Sequence, residues 1–231
     1  MTNPSTDGGF AVVEMFTSQG CNSCPPAEEL LSEIERDARE RRQNVFALGF
    51  HVDYWDDLGW PDQFADAAYT TRQEAYARAF GTGGLYTPQM VVNGTVEFVG
   101  SDRRRAAGAI MSAMASRATT PLALSVANLG ASRVMLDYRT ERPPERAVLN
   151  VAIVERGLDS EIARGENAGR TLRQDNVVRA FRSVAMQAEP GQVELATPPD
   201  LDPYSASVVG YVQEDGNRAI VGATAVGLST A

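Results

Sequence analysis

The 231-residue chain has no lysine, one histidine and two cysteines, and all 21 of its cationic side chains are arginine. Arginine is spread along the whole chain, so the missing lysine reads as compositional bias rather than mechanism. With a formal charge of −9 there is no basic stripe of the kind that phosphate backbones require, which excludes nucleic acid as a partner. The one dense basic run, Arg103-Arg104-Arg105, reads as a solvated helix face. No stretch approaches the ~20 apolar residues of a membrane-spanning helix. Residues 1–9 lack the basic and apolar regions of a signal peptide and are expected to be a flexible leader. A removed export signal is compatible with that reading. The content of 43% apolar and 22% charged residues is ordinary for a globular protein of one large or two medium domains.

The two cysteines stand three apart as Cys21-Asn22-Ser23-Cys24, followed by Pro25-Pro26. A β-favouring run, residues 10–17, precedes them. A helical pattern follows, with Leu30, Leu31 and Ile34 inward and Glu28, Glu29, Glu33 and Glu35 toward water. The prolines are tolerated because the first helical turn has no internal amide partners to lose. A C-x-x-C pair at a strand-to-helix junction is a redox or metal device. For metal, Cys21, Cys24 and His51, with Asp53 as a further oxygen donor, suit zinc or copper. No second C-x-x-C or H-x-x-H completes a closed site, however.

A nearly continuous apolar run at 45–50 reads as a strand covered on both faces. It ends in His51-Val52-Asp53-Tyr54-Trp55. A helix is expected over 61–80, begun by Pro61 and stopped by Gly81. Two β-rich runs then meet at Asn93-Gly94, a hairpin signal, and a last helix is expected from Asp102 to about Arg117. From Thr119 onward the character changes to seven short β-like runs: 122–128, 134–140, 148–154, 177–186, 193–196, 207–213 and 220–226. The expectation is therefore an α/β domain over 10–118, in the order β-α-β-α-β-β-α, and an all-β, sandwich-like domain over 119–231. Residues 164–173 read as a polar, Gly-rich loop.

The order of elements, the C-x-x-C entering the first helix and the Thr87-Pro88 before the hairpin resemble the thioredoxin fold. Longer motifs resemble a bacterial family of unknown function whose members are mostly exported. These are Phe16-Thr17-Ser18-Gln19-Gly20-Cys21 with Cys24-Pro25-Pro26-Ala27, Phe50-His51-Val52-Asp53-Tyr54-Trp55 with Leu58-Gly59-Trp60, Tyr86 through Gly94, and Arg164 through Leu172. The resemblance implies a periplasmic or secreted thiol-disulfide oxidoreductase acting on protein or small-molecule disulfides, without a cofactor beyond its own cysteines. It also implies that Pro88 is cis and faces the disulfide. The chain departs from thioredoxins in carrying Gly20 before the first cysteine and Asn22-Ser23 between the two. The thioredoxins' buried acid falls on Met15, one residue from Glu14, and a one-residue offset in a strand points to the opposite face.

On this reading Cys21 is the attacking thiol, stabilised by helix N-terminal amides, and Cys24 resolves the mixed disulfide. Asn22 and Ser23 tune the thiolate. His51 or Asp53 shuttles a proton, or else both simply anchor the loop. Tyr54, Trp55, Trp60 and Tyr86 line a substrate rim or pack a domain interface, and Thr87 binds substrate beside Pro88. Glu166, Asn167 and Arg170 either form a structural turn or reach the disulfide. A third possibility makes the pair a structural staple in a non-enzymatic binding module, although a disulfide closing so short a loop adds little stability.

Overall fold

Side chains at the start of the chain alternate between two cores and build one strand with both faces covered. In β1 (Ala11–Thr17), Ala11, Val13 and Met15 enter one apolar core while Val12 and Phe16 enter another, as the period of two requires. A computed structural model describes residues 8–140, 144–186 and 190–229. The leader expected over 1–9 lies outside these apart from Gly8 and Gly9, and Gly9 bridges to Arg117. After β1 come α1 (Pro25–Glu40), β2 (Val45–His51), a 3-10 turn at Asp53–Leu58, α2 (Ala67–Phe80), β3 (Gln89–Val92), β4 (Val96–Val99) and α3 (Arg103–Met114). Nine strands follow: β5 (Leu122–Leu129), β6 (Arg133–Thr140), β7 (Ala147–Glu155), β8 (Leu158–Glu161), β9 (Thr171–Gln174), β10 (Val177–Ala185), β11 (Gly191–Ala196), β12 (Ala206–Glu214) and β13 (Ile220–Gly227). The chain is thus mixed α/β, with few helices and one large sheet. Among the described residues no helix is long and apolar enough to cross a membrane.

The large sheet has the order β13-β12-β7-β10-β2-β1-β3-β4. β1 and β2 are parallel, while β3 and β4 run antiparallel to their neighbours. One sheet joins strands from both sides of the expected division at 118/119, because β10 pairs with β2 at Val177 and Gly49. α1 and α3 cover one face at the β1 end, over Met15, Ala27, Leu31, Met90 and Ala106. On that same side of the sheet, three strands in the order β11-β6-β5 form a second layer over Leu149, Val151, Ile153 and Val208.

α2 packs on the opposite face. Its Tyr69 and Tyr76 share a core with Phe16 and Phe50 from the first half and with Val154, Val209 and Tyr211 from the second. The sheet curls around this core until Ile220 N donates to the Asn93 carbonyl at 2.9 Å. Gly94 is needed there twice over. Its φ is +69°, and a Cβ would lie 1.9 Å from the Arg218 carbonyl oxygen.

Two expectations are corrected. The helix expected from Pro61 begins at Ala67, where the Asp66 carboxylate accepts from Ala68 N. The six residues before it form a turn because Asp62 is drawn inside the protein. The loop expected over 164–173 is in part strand, since β9 pairs with β8 from Leu158–Gln174 to Glu161–Thr171.

Candidate functional site

β1 ends at Thr17, and a short turn sets up the cysteine segment. Gly20 N donates to Ser18 Oγ at 3.0 Å, and Cys21 N donates to the Ser18 carbonyl at 3.1 Å. Cys24 is the N-cap of α1, and Cys21 and Cys24 form a disulfide with a Cα–Cα separation of 5.5 Å. Both cysteines are fully buried, whereas Asn22 and Ser23 between them are exposed. The expected stabilisation of Cys21 by helix amides is not what the first turn provides. Pro25 and Pro26 have no N–H, and Ala27 N and Glu28 N both donate to the Cys24 carbonyl, at 2.9 and 3.1 Å. The donor at the sulfur is instead a side chain: Ser23 Oγ lies 3.3 Å from Cys21 Sγ. Gly20 is small for a local reason, because a Cβ there would stand 3.3 Å from Trp55 Cβ.

Joined to the cysteine segment through Thr17 and Gln19 is a buried polar network. Glu28, expected on the water-facing side of α1, is buried. It lies four residues after Cys24, hence on the same helix face, and accepts from Thr17 Oγ1 at 2.7 Å and Gln174 Nε2 at 3.3 Å. Burial raises its pKa, against a smaller downward pull from His51. His51, at the end of β2, holds Asp62 through Nδ1 at 2.7 Å, and both residues are buried. Burial works against a charged imidazole here, but Asp62, with Glu28 behind it, raises the His51 pKa on balance. Burial likewise opposes the Asp62 charge, yet His51 and the amides of Gln19 and Phe64 hold its pKa below the ordinary value. Gln19 closes the network. Its N donates to Asp62 at 2.7 Å, its Nε2 to Ser160 Oγ at 2.9 Å and Gln174 Oε1 at 2.8 Å, and its Oε1 accepts from Trp60 Nε1 at 3.0 Å.

The β8–β9 hairpin loop lies over the cysteine segment. Asn167, fully buried, donates through Nδ2 to the carbonyls of Gln19 at 2.8 Å and Cys21 at 3.0 Å. Glu166 accepts from Asn22 N at 3.0 Å, and Arg170 donates to Asn167 Oδ1 at 2.9 Å. A Cβ on Gly165 would lie 3.1 Å from Trp60 Cβ, so the loop sits close against the Gly59-Trp60 corner. The Thr87–Pro88 bond is cis. Pro88 Cβ and Ala27 Cβ both approach the position of a Cβ on Gly100, at 3.1 and 3.2 Å, which sets Pro88 beside the first turn of α1.

The family model for a group described as a protein of unknown function, DUF1223, matches residues 12–213, a span that takes in the cysteine segment, the cis-proline and the β8–β9 loop. The chain belongs to the DUF1223 family. A protein from Agrobacterium tumefaciens, solved by X-ray crystallography in a structural-genomics programme, is 27% identical with a TM-score of 0.73, over 100% of this chain and 98% of its own. A β-glucosidase from Kluyveromyces marxianus shares 10% identity over 49% of this chain and 14% of that one, with a TM-score of 0.25, which carries no argument. No curated protein matches the chain.

Within this DUF1223 chain the other expected residues divide. Asp53 is turned away from the network, its carboxylate accepting from Thr70 Oγ1 at the start of α2. Tyr86 donates to Glu97, while its carbonyl accepts from Gln73 Nε2 at 2.8 Å. Tyr54 is about a third exposed, at 36%, and Trp55 packs beside Gly20. For the metal alternative, the two sulfurs are bonded to each other and His51 Nδ1 is committed to Asp62. No group of three or more His, Cys, Asp or Glu side chains suited to a metal occurs among the described residues. Glu28, Asp62, Gln19, Ser160 and Gln174 were not legible as site residues. Only Glu28 carried a signal, its spacing of four from Cys24 and three from Leu31.

Proposed function

We propose that this chain is a thiol-disulfide oxidoreductase in which a thioredoxin-like unit, residues 10–118, presents Cys21 and Cys24, and the β-rich remainder, 119–231, contributes the loop that covers them. The order β4-β3-β1-β2, with β1 and β2 parallel, and the cis Thr87–Pro88 beside α1 support the thioredoxin-like reading. One observation carries the function. Three buried ionisable groups, Glu28, His51 and Asp62, whose proton affinities are all displaced, adjoin the cysteine segment: Glu28 is one helical turn after Cys24, and Asp62, bonded to His51, accepts from Gln19 N two residues before Cys21. A purely structural staple has no use for buried carboxyls that cost stability to desolvate.

In the reducing direction the Cys21 thiolate, with Ser23 Oγ donating to it, attacks one sulfur of a substrate disulfide and expels the other as a thiolate. The Cys24 thiol loses its proton to the Glu28 carboxylate, and the Cys24 thiolate attacks Cys21 Sγ, releasing the second substrate thiolate. The cysteine pair gives up two electrons to the substrate, whose two thiolates then take up two protons, one from Glu28 and one from solvent, where Cys21 released its own on ionising. The reverse sequence oxidises a dithiol, and no further cofactor enters. The compartment is proposed to be periplasmic or extracellular, where disulfides persist.

Trapping tests this. With a peptide disulfide offered to the reduced Cys24→Ser variant, a mixed disulfide of one peptide thiol on Cys21 should accumulate. The Cys21→Ser variant should form none. Equal labelling of both variants, or of neither, contradicts the proposal.

A further inference from the structure

Along the second half of α1 the local charge is opposite in sign to that of the chain. A cleft of about 260 Å³ there is walled by Arg36 and Arg39 of α1, by Arg156 in the turn between β7 and β8, and by Arg173 of β9. Four guanidiniums from three segments thus share one small space in a chain whose formal charge is −9. Like charges gathered this closely repel one another unless negative charge stands between them.

Two carboxylates line the cleft, and both are committed to its frame. Glu35, only 15% exposed, accepts from Arg39 Nε at 3.2 Å and stands 4.0 Å from an Arg156 nitrogen. One acid therefore holds guanidiniums from opposite walls. Asp175 accepts from Gly157 N at 2.7 Å, which ties the turn before β8 to the end of β9. The Ser32 hydroxyl donates to the Glu28 carbonyl at 3.0 Å, so its proton is used within α1.

Arg36 and Arg173 are left over. Among the described residues neither forms an ion pair. Glu33, one helical turn before Arg36, gives both carboxylate oxygens to Arg103. Four guanidiniums against two carboxylates leave the lining with a net charge of +2. Guanidinium forks match the oxygens of phosphates and carboxylates two at a time.

We infer that this cleft binds a compact dianion, a phosphate monoester or a small dicarboxylate, through Arg36 and Arg173 with Arg39 and Arg156 beside them. A monocarboxylate would leave one positive charge in excess. A long polyanion would need a basic stripe to follow beyond the cleft, and the chain has none. The guest spans both walls, α1 on one side and the two ends of the β8–β9 hairpin on the other. It thereby fastens to α1 the hairpin whose far end covers Cys21. The site stands whether or not the disulfide exchanges.

Calorimetric titration of the oxidised full chain tests this with two probes, inorganic phosphate and malonate. The pH is slightly alkaline, where both are mainly dianions, and sodium chloride keeps the ionic strength constant. At least one probe should bind saturably at a single site with a Kd of about 0.1–1 mM. Arg36→Gln and Arg173→Gln each remove one charged donor and should weaken that binding about tenfold. Arg104→Gln, in the densest basic run but outside the cleft, should leave it unchanged. All three positions are exposed, so the variants should fold, and their thermal midpoints without ligand verify it. The bound probe should also raise the midpoint of the wild type more than that of Arg173→Gln. Binding of phosphate alone assigns the guest to phosphate esters, and binding of malonate alone assigns it to dicarboxylates. The site is overturned if neither probe binds saturably, if binding is unchanged in either Arg36→Gln or Arg173→Gln, or if Arg104→Gln weakens it as much.

Discussion

At the scale of single residues, protons are held where the sequence showed only charges. Glu28→Gln keeps the hydrogen-bonding shape but removes the proton acceptor assigned to Cys24. We expect resolution of the mixed disulfide to slow by about 10²-fold, while thermal stability holds or rises, because a desolvated carboxyl is gone. Slowing together with unfolding would mark Glu28 as merely structural. Ser23→Ala removes the hydroxyl at Cys21 Sγ and should raise the Cys21 thiol pKa by about one unit, read from the pH dependence of alkylation of the reduced protein. An unchanged pKa would remove Ser23 from the account.

His51 makes a stability prediction with a definite sign. Its folded pKa lies above the ordinary 6.5, so its proton contributes stability in full below that pH. The contribution is lost as pH rises through the raised value. Glu28, held above its ordinary 4.5, acts in the same direction from lower pH. Asp62, held below its ordinary 3.8, contributes stability that is lost only in strong acid. The urea midpoint of the oxidised protein should therefore fall as pH climbs from about 6.5 into the alkaline range. That slope should flatten in His51→Gln, and an identical slope in the variant would contradict the assignment.

At the scale of elements, the β8–β9 loop decides access to the disulfide. Asn167 gives both hydrogens of its amide to the backbone on either side of Gly20, and both cysteines are fully buried beneath. In Asn167→Ala two buried carbonyls lose their donor, and opening should become cheaper by about 1–3 kcal/mol. Reduction of the disulfide by a small thiol should then accelerate about tenfold at unchanged reduction potential. An unaltered rate would show that the loop does not control entry.

The elements themselves were largely legible. A β-favouring run marked β1, a 3.6 period marked α1, a continuous apolar run marked β2, and Asn93-Gly94 marked the hairpin, because each of these signals is local in the chain. β8 and β9 were not, since four-residue strands in a polar, Gly-rich stretch carry no apolar rhythm. Pro61 suggested a helix start by local preference, but Asp62 turns inward to His51 and Gln19, and a tertiary contact overrode that preference. Glu28 was misplaced for a similar reason. Its position on the inward face was visible, yet its charge pointed outward until Thr17 and Gln174 appeared beside it. Contacts such as Gln19–Gln174 join residues 155 apart, and nothing local encodes them.

At the scale of the whole molecule, a buried ion pair ties the two halves together. Glu14 on β1 meets Arg72 on α2 at 2.7 Å. Tyr211 from β12 donates to Glu14 at 2.6 Å, and Arg72 donates to Gln213 at 3.1 Å. Glu14 faces α2 while Met15 faces α1, which is why the thioredoxins' acid position could not be carried to Glu14. Arg72→Leu leaves a buried carboxylate unpaired and should cost about 3–5 kcal/mol in urea unfolding. A loss under about 1 kcal/mol would mean that the apolar core alone holds the halves together.

The central claim is that a fully buried disulfide, strapped by a loop from the far half of the chain and adjoined through Thr17 and Gln19 by the network of Glu28, His51 and Asp62, exists to exchange. The reduction potential of the Cys21–Cys24 pair at neutral pH tests it most directly. The account predicts a value between about −270 and −120 mV, the range of disulfide-exchanging proteins; a value below about −300 mV, that of a structural disulfide, would contradict it.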